Sequence, residues 1–89
     1  MSYEKAMSEA IARSPEQLGQ VLRNRRRNLE LTQTDLAKKI GSYQKTISKI
    51  EAGQPGVKLQ TIFDVIAALD IEIVIQTRSQ SSARIEDIF

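Results

Sequence analysis

Eighty-nine residues with 13 Lys/Arg, 11 Asp/Glu and a formal net charge of +2 make one small domain whose core would gain from dimerisation. The absence of cysteine excludes a disulfide framework or thiolate zinc site, and the absence of histidine removes the commonest general base, so neither an enzyme nor a metal or cofactor site is expected. No apolar run approaches the ~18 residues of a membrane span and the N-terminus lacks a signal pattern, so a cytoplasmic protein with no membrane or small-molecule partner is expected.

In chain order, Tyr3, Ala6, Met7, Ala10 and Ile11 recur at helical spacing, so residues 1–13 form either a short helix or a frayed extension. Ser14-Pro15-Glu16-Gln17 is a sharper signal, with a capping serine, a proline suited to the first helical position and an S-x-x-Q capping box. The helix it opens runs to about Asn28, with Leu18, Val21, Leu22 and Leu29 inward. On its outer face Arg23 and Arg27 lie four apart as phosphate candidates. Arg26 sits at the margin of the apolar stripe, and Glu51 sits beside another stripe four residues after Ile47. Opposite charges at core margins need each other, because an unpaired buried charge is costly. An Arg26–Glu51 ion pair is therefore expected, the alternative for Arg26 being a further phosphate contact.

Thr32 to Gly53, TQTDLAKKIGSYQKTISKIEAG, predicts two short amphipathic helices joined by a turn. Thr32 is a candidate cap, Leu36, Ala37 and Ile40 form the apolar face of the first helix, and Gly41 can take the left-handed conformation that ends it. In the second helix Ile47 and Ile50 face inward while Gln44, Lys45, Ser48 and Lys49 share the opposite side. Ala37, Gly41 and Ile47 have the spacing of a tight helix crossing. This stretch resembles the helix-turn-helix of the lambda-repressor and Cro-like (XRE) family, whose second helix enters the major groove. An ordinary helical hairpin is the alternative, disfavoured by a polar face suited to base edges and phosphates.

Gln54-Pro55-Gly56 is a turn cluster. Leu59, Ile62, Phe63, Ile66 and Leu69 then predict a further helix closing the core, with Val65 and Ala68 on its other side. From Ile71 to Thr77 the period changes to two, and Ile71, Ile73 and Ile75 with Val74 favour a strand over an extension of that helix. A lone strand leaves backbone groups unpaired. Pairing with the same strand of a second copy about a two-fold axis is the economical solution. Arg78 to Arg84 is Ser-rich and aperiodic, a linker. Ile85, Ile88 and Phe89 close the chain either as a partner-binding segment or as an inert end. Charge follows this plan: residues 23–58 hold nine Lys/Arg against Glu30, Asp35 and Glu51, a net +6, while the flanks are acidic.

The Ser14-Pro15 opening, GSYQKTISKIEAG, a strand at 71–77 in place of a fifth helix and the aromatic-ended tail are together similar to the HipB-like antitoxins, partners of HipA toxin kinases. The likeness covers most of 14–77, and the tail matches in character only. It implies a mostly α, lambda-repressor-like domain of four to five helices whose C-terminal β-strand pairs across a homodimer. The division is then a 1–13 extension, a 14–77 DNA-binding and dimerisation domain, and a 78–89 tail. By position the resemblance puts Tyr43, Gln44, Lys45, Ser48 and Lys49 among the base readers. It puts Gln33, Thr46, Gln54 and Lys58 near phosphates, and Arg26 and Glu51 at a structural pair. Tyr43 departs from the Ser or Thr that often caps the recognition helix, and Ser42 is expected to cap one residue early. The implied function is an antitoxin that binds palindromic double-stranded operators to autorepress its operon and neutralises a HipA-like kinase toxin. A stand-alone repressor of phage or restriction-modification controller type is the alternative, and a pure protein-interaction module a third possibility.

Overall fold

Helix α1 (Pro15–Asn28) begins where the Ser14 hydroxyl accepts the Gln17 N–H at 3.0 Å, with Pro15 in the position where a missing N–H costs nothing. The structure, a computed structural model, describes residues 9–78. The expected S-x-x-Q box is only half made: Gln17 Oε1 takes the N–H of Arg13 at 2.6 Å, one residue before the cap. Residues 9–13 carry no helix. The rest of the possible N-terminal helix, and the tail with Ile85, Ile88 and Phe89, lie outside the described residues.

Helix α2 (Gln33–Lys39) follows a complete capping box, in which Thr32 Oγ1 accepts the Asp35 N–H and the Asp35 carboxylate accepts the Thr32 N–H, both at 2.9 Å. Donation from the Thr32 N–H, and next from its hydroxyl, holds the Asp35 carboxyl below its usual range. Helix α3 (Gln44–Glu51) and helix α4 (Leu59–Ala68) complete the four helices found among the described residues. Each helix ends in the same way, with the chain reversing through a left-handed residue and two backbone N–H groups bonding back into the last turn. After α2 and α3 that residue is Gly41 (φ 66°) or Gly53 (φ 74°); after α1 and α4 it is Glu30 (φ 60°) or Asp70 (φ 58°). The returning bonds include Leu31 N–H to the Arg26 carbonyl at 3.1 Å and Ile71 N–H to the Ile66 carbonyl at 3.2 Å.

Leu22, Leu36, Ala37, Ile47, Ile50, Val65, Ile66 and Leu69 form one buried cluster drawn from all four helices and the turn after α4. The inward face of α4 differs from the expected one. Val65 is buried at 1 % exposure, whereas Leu59 (68 %) and Phe63 (46 %) face outward. A close helix approach that the sequence pattern does not single out lies between α1 and α3. A methyl added at Gly19 would come within 2.6 Å of the Ile50 carbonyl oxygen, so it is glycine in α1 that lets α3 cross.

Beyond Asp70 the chain forms neither helix nor strand from Ile71 to Arg78 among the described residues, so the strand expected at 71–77 is not found there. Ile73, Val74 and Ile75 are exposed. An apolar groove of about 790 Å³ runs beside it between α1 and α4, lined by residues that include Leu18, Val21, Val57, Ile62, Ile71 and Ile73.

Candidate nucleic-acid interface

The interface is built on the α2–α3 pair. Ala37 is buried at 2 % exposure, its carbonyl receives the Ser42 N–H at 2.9 Å, and Gly41 reverses the chain between the helices. Only the backbone of Ser42 closes the turn; its hydroxyl makes no hydrogen bond to α3, so the expected early cap is not made. Tyr43 occupies the cap position and no side chain caps the helix. Helix α3 consequently starts at Gln44.

Ile47 and Ile50 anchor α3 in the core, which leaves Gln44, Lys45, Ser48 and Lys49 exposed along one face. Tyr43 stands beside them at 78 % exposure. Thr46 is half-buried, turned partly toward the body of the domain. The face therefore carries amide, hydroxyl and ammonium groups, the chemistry that pairs with base edges and phosphate oxygens. Gln54 and Lys58 are exposed in the connection from α3 to α4, and Arg27 is exposed on α1.

From the buried interior to this face runs a polar chain. Arg26 Nε and Nη2 donate to Glu51 Oε2 and Oε1 at 2.6 and 3.0 Å, a bidentate pair between α1 and α3. The two side chains are 8 % and 5 % exposed. Arg26 Nη1 also donates to the Leu31 carbonyl at 2.7 Å, so the guanidinium is satisfied on three sides. Gln33 Nε2 donates to Glu51 Oε1 at 3.0 Å, and its amide oxygen accepts the Gln44 amide. Burial alone would raise the Glu51 carboxyl, but the bonds from Arg26 and Gln33 and the Arg26 charge outweigh it and hold it below its ordinary 4.5. Half-buried Arg23 lies close enough to add its charge to that effect.

Four of the named residues are thus joined end to end: Arg26, Glu51, Gln33 and Gln44. Gln33, expected at a phosphate, has its side chain engaged with Glu51 and Gln44. Lys45, Ser48, Lys49 and Tyr43 lie outside that chain. Sequence patterning missed Arg25, whose Nε donates to the Leu69 carbonyl at 2.9 Å; unlike Arg26, it has no place at the margin of an apolar stripe to mark it.

Two helices crossing at a glycine turn, the second anchored by aliphatics and polar outside, define a helix-turn-helix. Comparison with known proteins agrees: the helix-turn-helix family model matches residues 22–75. The antitoxin HipB of Escherichia coli strain K12 is 33 % identical over 75 residues, covering 84 % of this chain and 78 % of that protein. HipB of E. coli O6:H1 matches at the same identity, with 73 % of its length covered. Among solved structures, a HipB–O4 20mer complex and a HipA–HipB–O2–O3 complex each match with a TM-score of 0.73 and 31 % identity, over 80 % of this chain and 100 % of theirs. The restriction-modification controller protein C.AhdI from Aeromonas hydrophila matches with a TM-score of 0.60 and 36 % identity, over 65 % of this chain and 84 % of its own. The chain belongs to the helix-turn-helix family, in its HipB-like, lambda-repressor/Cro-like (XRE) branch.

Proposed function

We propose that this chain is a DNA-binding antitoxin that acts in the cytoplasm by binding rather than by catalysis. It works as a homodimer, reads a palindromic operator to repress its own operon, and neutralises a HipA-like kinase. The observation that carries the DNA-binding part is the exposed Gln44, Lys45, Ser48 and Lys49 face on a helix held rigid by the buried Arg26–Glu51 pair. Rigid placement matters because base discrimination depends on side chains meeting groove edges at fixed positions. Tyr43 and Thr46 flank the base readers, and Arg23, Arg27, Gln54 and Lys58 supply charge or hydrogen bonds to the backbone. Gln33 contributes from the N-terminus of α2.

Dimerisation is supported by the exposed Ile73, Val74 and Ile75 of the 71–77 segment and the apolar groove beside them. Pairing that segment with its copy satisfies both backbones and buries isoleucines from each. Two recognition helices are then set about one helical turn apart, roughly 34 Å. The kinase partner is supported by the likeness to HipB and to the HipA–HipB complex.

Footprinting of the chain on its own upstream region tests the operator. Lys45→Ala with Lys49→Ala is expected to lower affinity for the footprinted site at least tenfold and to flatten its salt dependence, since about two counterions fewer are released per protomer. Unchanged binding and activity would instead favour a protein-interaction module. A second reading, a controller acting without a toxin, is supported by the likeness to C.AhdI. Co-purification with an adjacently encoded kinase, comparing the full chain with one ending at Arg78, separates the two. Retention of the kinase by both chains would leave the antitoxin role standing and remove the tail from it.

A further inference from the structure

Arg25 and Arg26 are neighbours on α1, yet they hold opposite ends of the machinery. Arg26 grips Glu51 on the recognition helix. Arg25 Nε donates across 44 positions of sequence to the carbonyl of Leu69, the residue that caps α4 and is wholly buried. The next residue, Asp70, is the left-handed one, so this carbonyl marks the point where the chain turns from helix into the 71–78 segment. Helix α4 has no basic residue in its last turn. Its carbonyl end, which favours a nearby cation, receives one from α1 instead.

We propose that Arg25 is a positioning residue: its bond to Leu69 sets the direction in which the 71–77 arm leaves the domain, and with it the separation of the two recognition helices in the dimer. One turn of α1 then holds both the reading helix and the dimer arm, and couples where the protein reads to how its two copies join. The inference rests on the homodimer proposed above. It also gives Arg25 a role of its own beside the Arg26 pair, leaving Arg23 and Arg27 for phosphates.

Because the chain has no cysteine, Ser48→Cys places one spin label on each recognition helix, and the label-to-label distance reads the geometry without any DNA. Arg25→Met puts a methyl where Nε stood and removes the donor; Arg25→Gln puts an amide nitrogen at the same place and restores it. The labelled parent chain is expected to give one distance maximum. R25M is expected to remain dimeric by sedimentation but to shift or broaden that maximum by several ångströms, and R25Q to return it. Arg25→Ala gives a second test of the loss if R25M does not fold. A folded, dimeric R25M or R25A with the parent distance overturns the proposal, and a shift in R25Q as large as in R25M overturns the hydrogen bond as its cause. A simple loss of stability changes how much protein is folded, not the distance within folded dimers. A parent chain that sediments as a monomer with no label-to-label distance would instead overturn the dimer on which the inference stands.

Discussion

Glu51 is the residue on which stability and recognition meet. Its carboxylate takes two bonds from Arg26 and one from Gln33, all inside the domain. Removing its charge strands the buried guanidinium, for which the cost is about 3 kcal/mol. Glu51→Gln is therefore expected to be destabilised by about that much at pH 7 in urea melts. Its carboxyl is held below 4.5 in the folded protein, so its contribution is complete above that value and is lost as pH falls through the lower, folded one. The gap between the parent and Glu51→Gln should accordingly close in melts taken at progressively lower pH. Replacing both partners by apolar residues of similar size, Arg26→Met with Glu51→Leu, should recover most of the stability, because the desolvation cost disappears with the charges.

At the scale of elements, what the sequence made legible depended on how one-sided each pattern is. Helices α2 and α3 have few apolar residues, each with one possible inward face, and Leu36, Ala37, Ile47 and Ile50 lie buried as the spacing predicts. The Arg26–Glu51 pair was legible for a related reason, since each charge sits at the edge of a stripe with no other remedy for its burial. Helix α4, LQTIFDVIAA, is apolar nearly all round, so periodicity could not choose between Leu59 with Phe63 and Val65 with Ala68. The choice was made by tertiary packing that buries Val65 beside Ile66 and Leu69. Val65→Ala should cost about 2 kcal/mol in a denaturant melt, while Leu59→Ala should cost less than about 1 kcal/mol. The close approach at Gly19 was illegible because a glycine inside a helix carries no pattern; only the carbonyls of α3 facing it reveal its use. Caps were half legible. Thr32 is found by residue type, but whether the reciprocal bond is made by Asp35 or missed by Gln17 depends on geometry one residue to either side.

For the whole molecule, the segment from Ile71 to Arg78 is the unfinished part. It carries Ile73, Val74 and Ile75 in the open, with no strand partner among the described residues. Alternation in the sequence predicts a strand here, and strand geometry needs a partner backbone that the chain does not offer among its described residues. Ile73→Lys puts a charge in the middle of the proposed two-fold contact and should convert the protein to a monomer in sedimentation at micromolar concentration. A dimeric Ile73→Lys chain would require another interface. The polar chain from Arg26 to Gln44 has a last consequence, for how such a protein can change its target over generations. Gln44 is bonded through Gln33 to the acid that holds α1 and α3 together, so altering it for a new base disturbs the foundations. Lys45, Ser48 and Lys49 have no such ties. On the proposed reading of bases by this face, retargeting is open at those three positions and hindered at the fourth, so operators of diverging relatives are expected to drift first where residues 45, 48 and 49 reach.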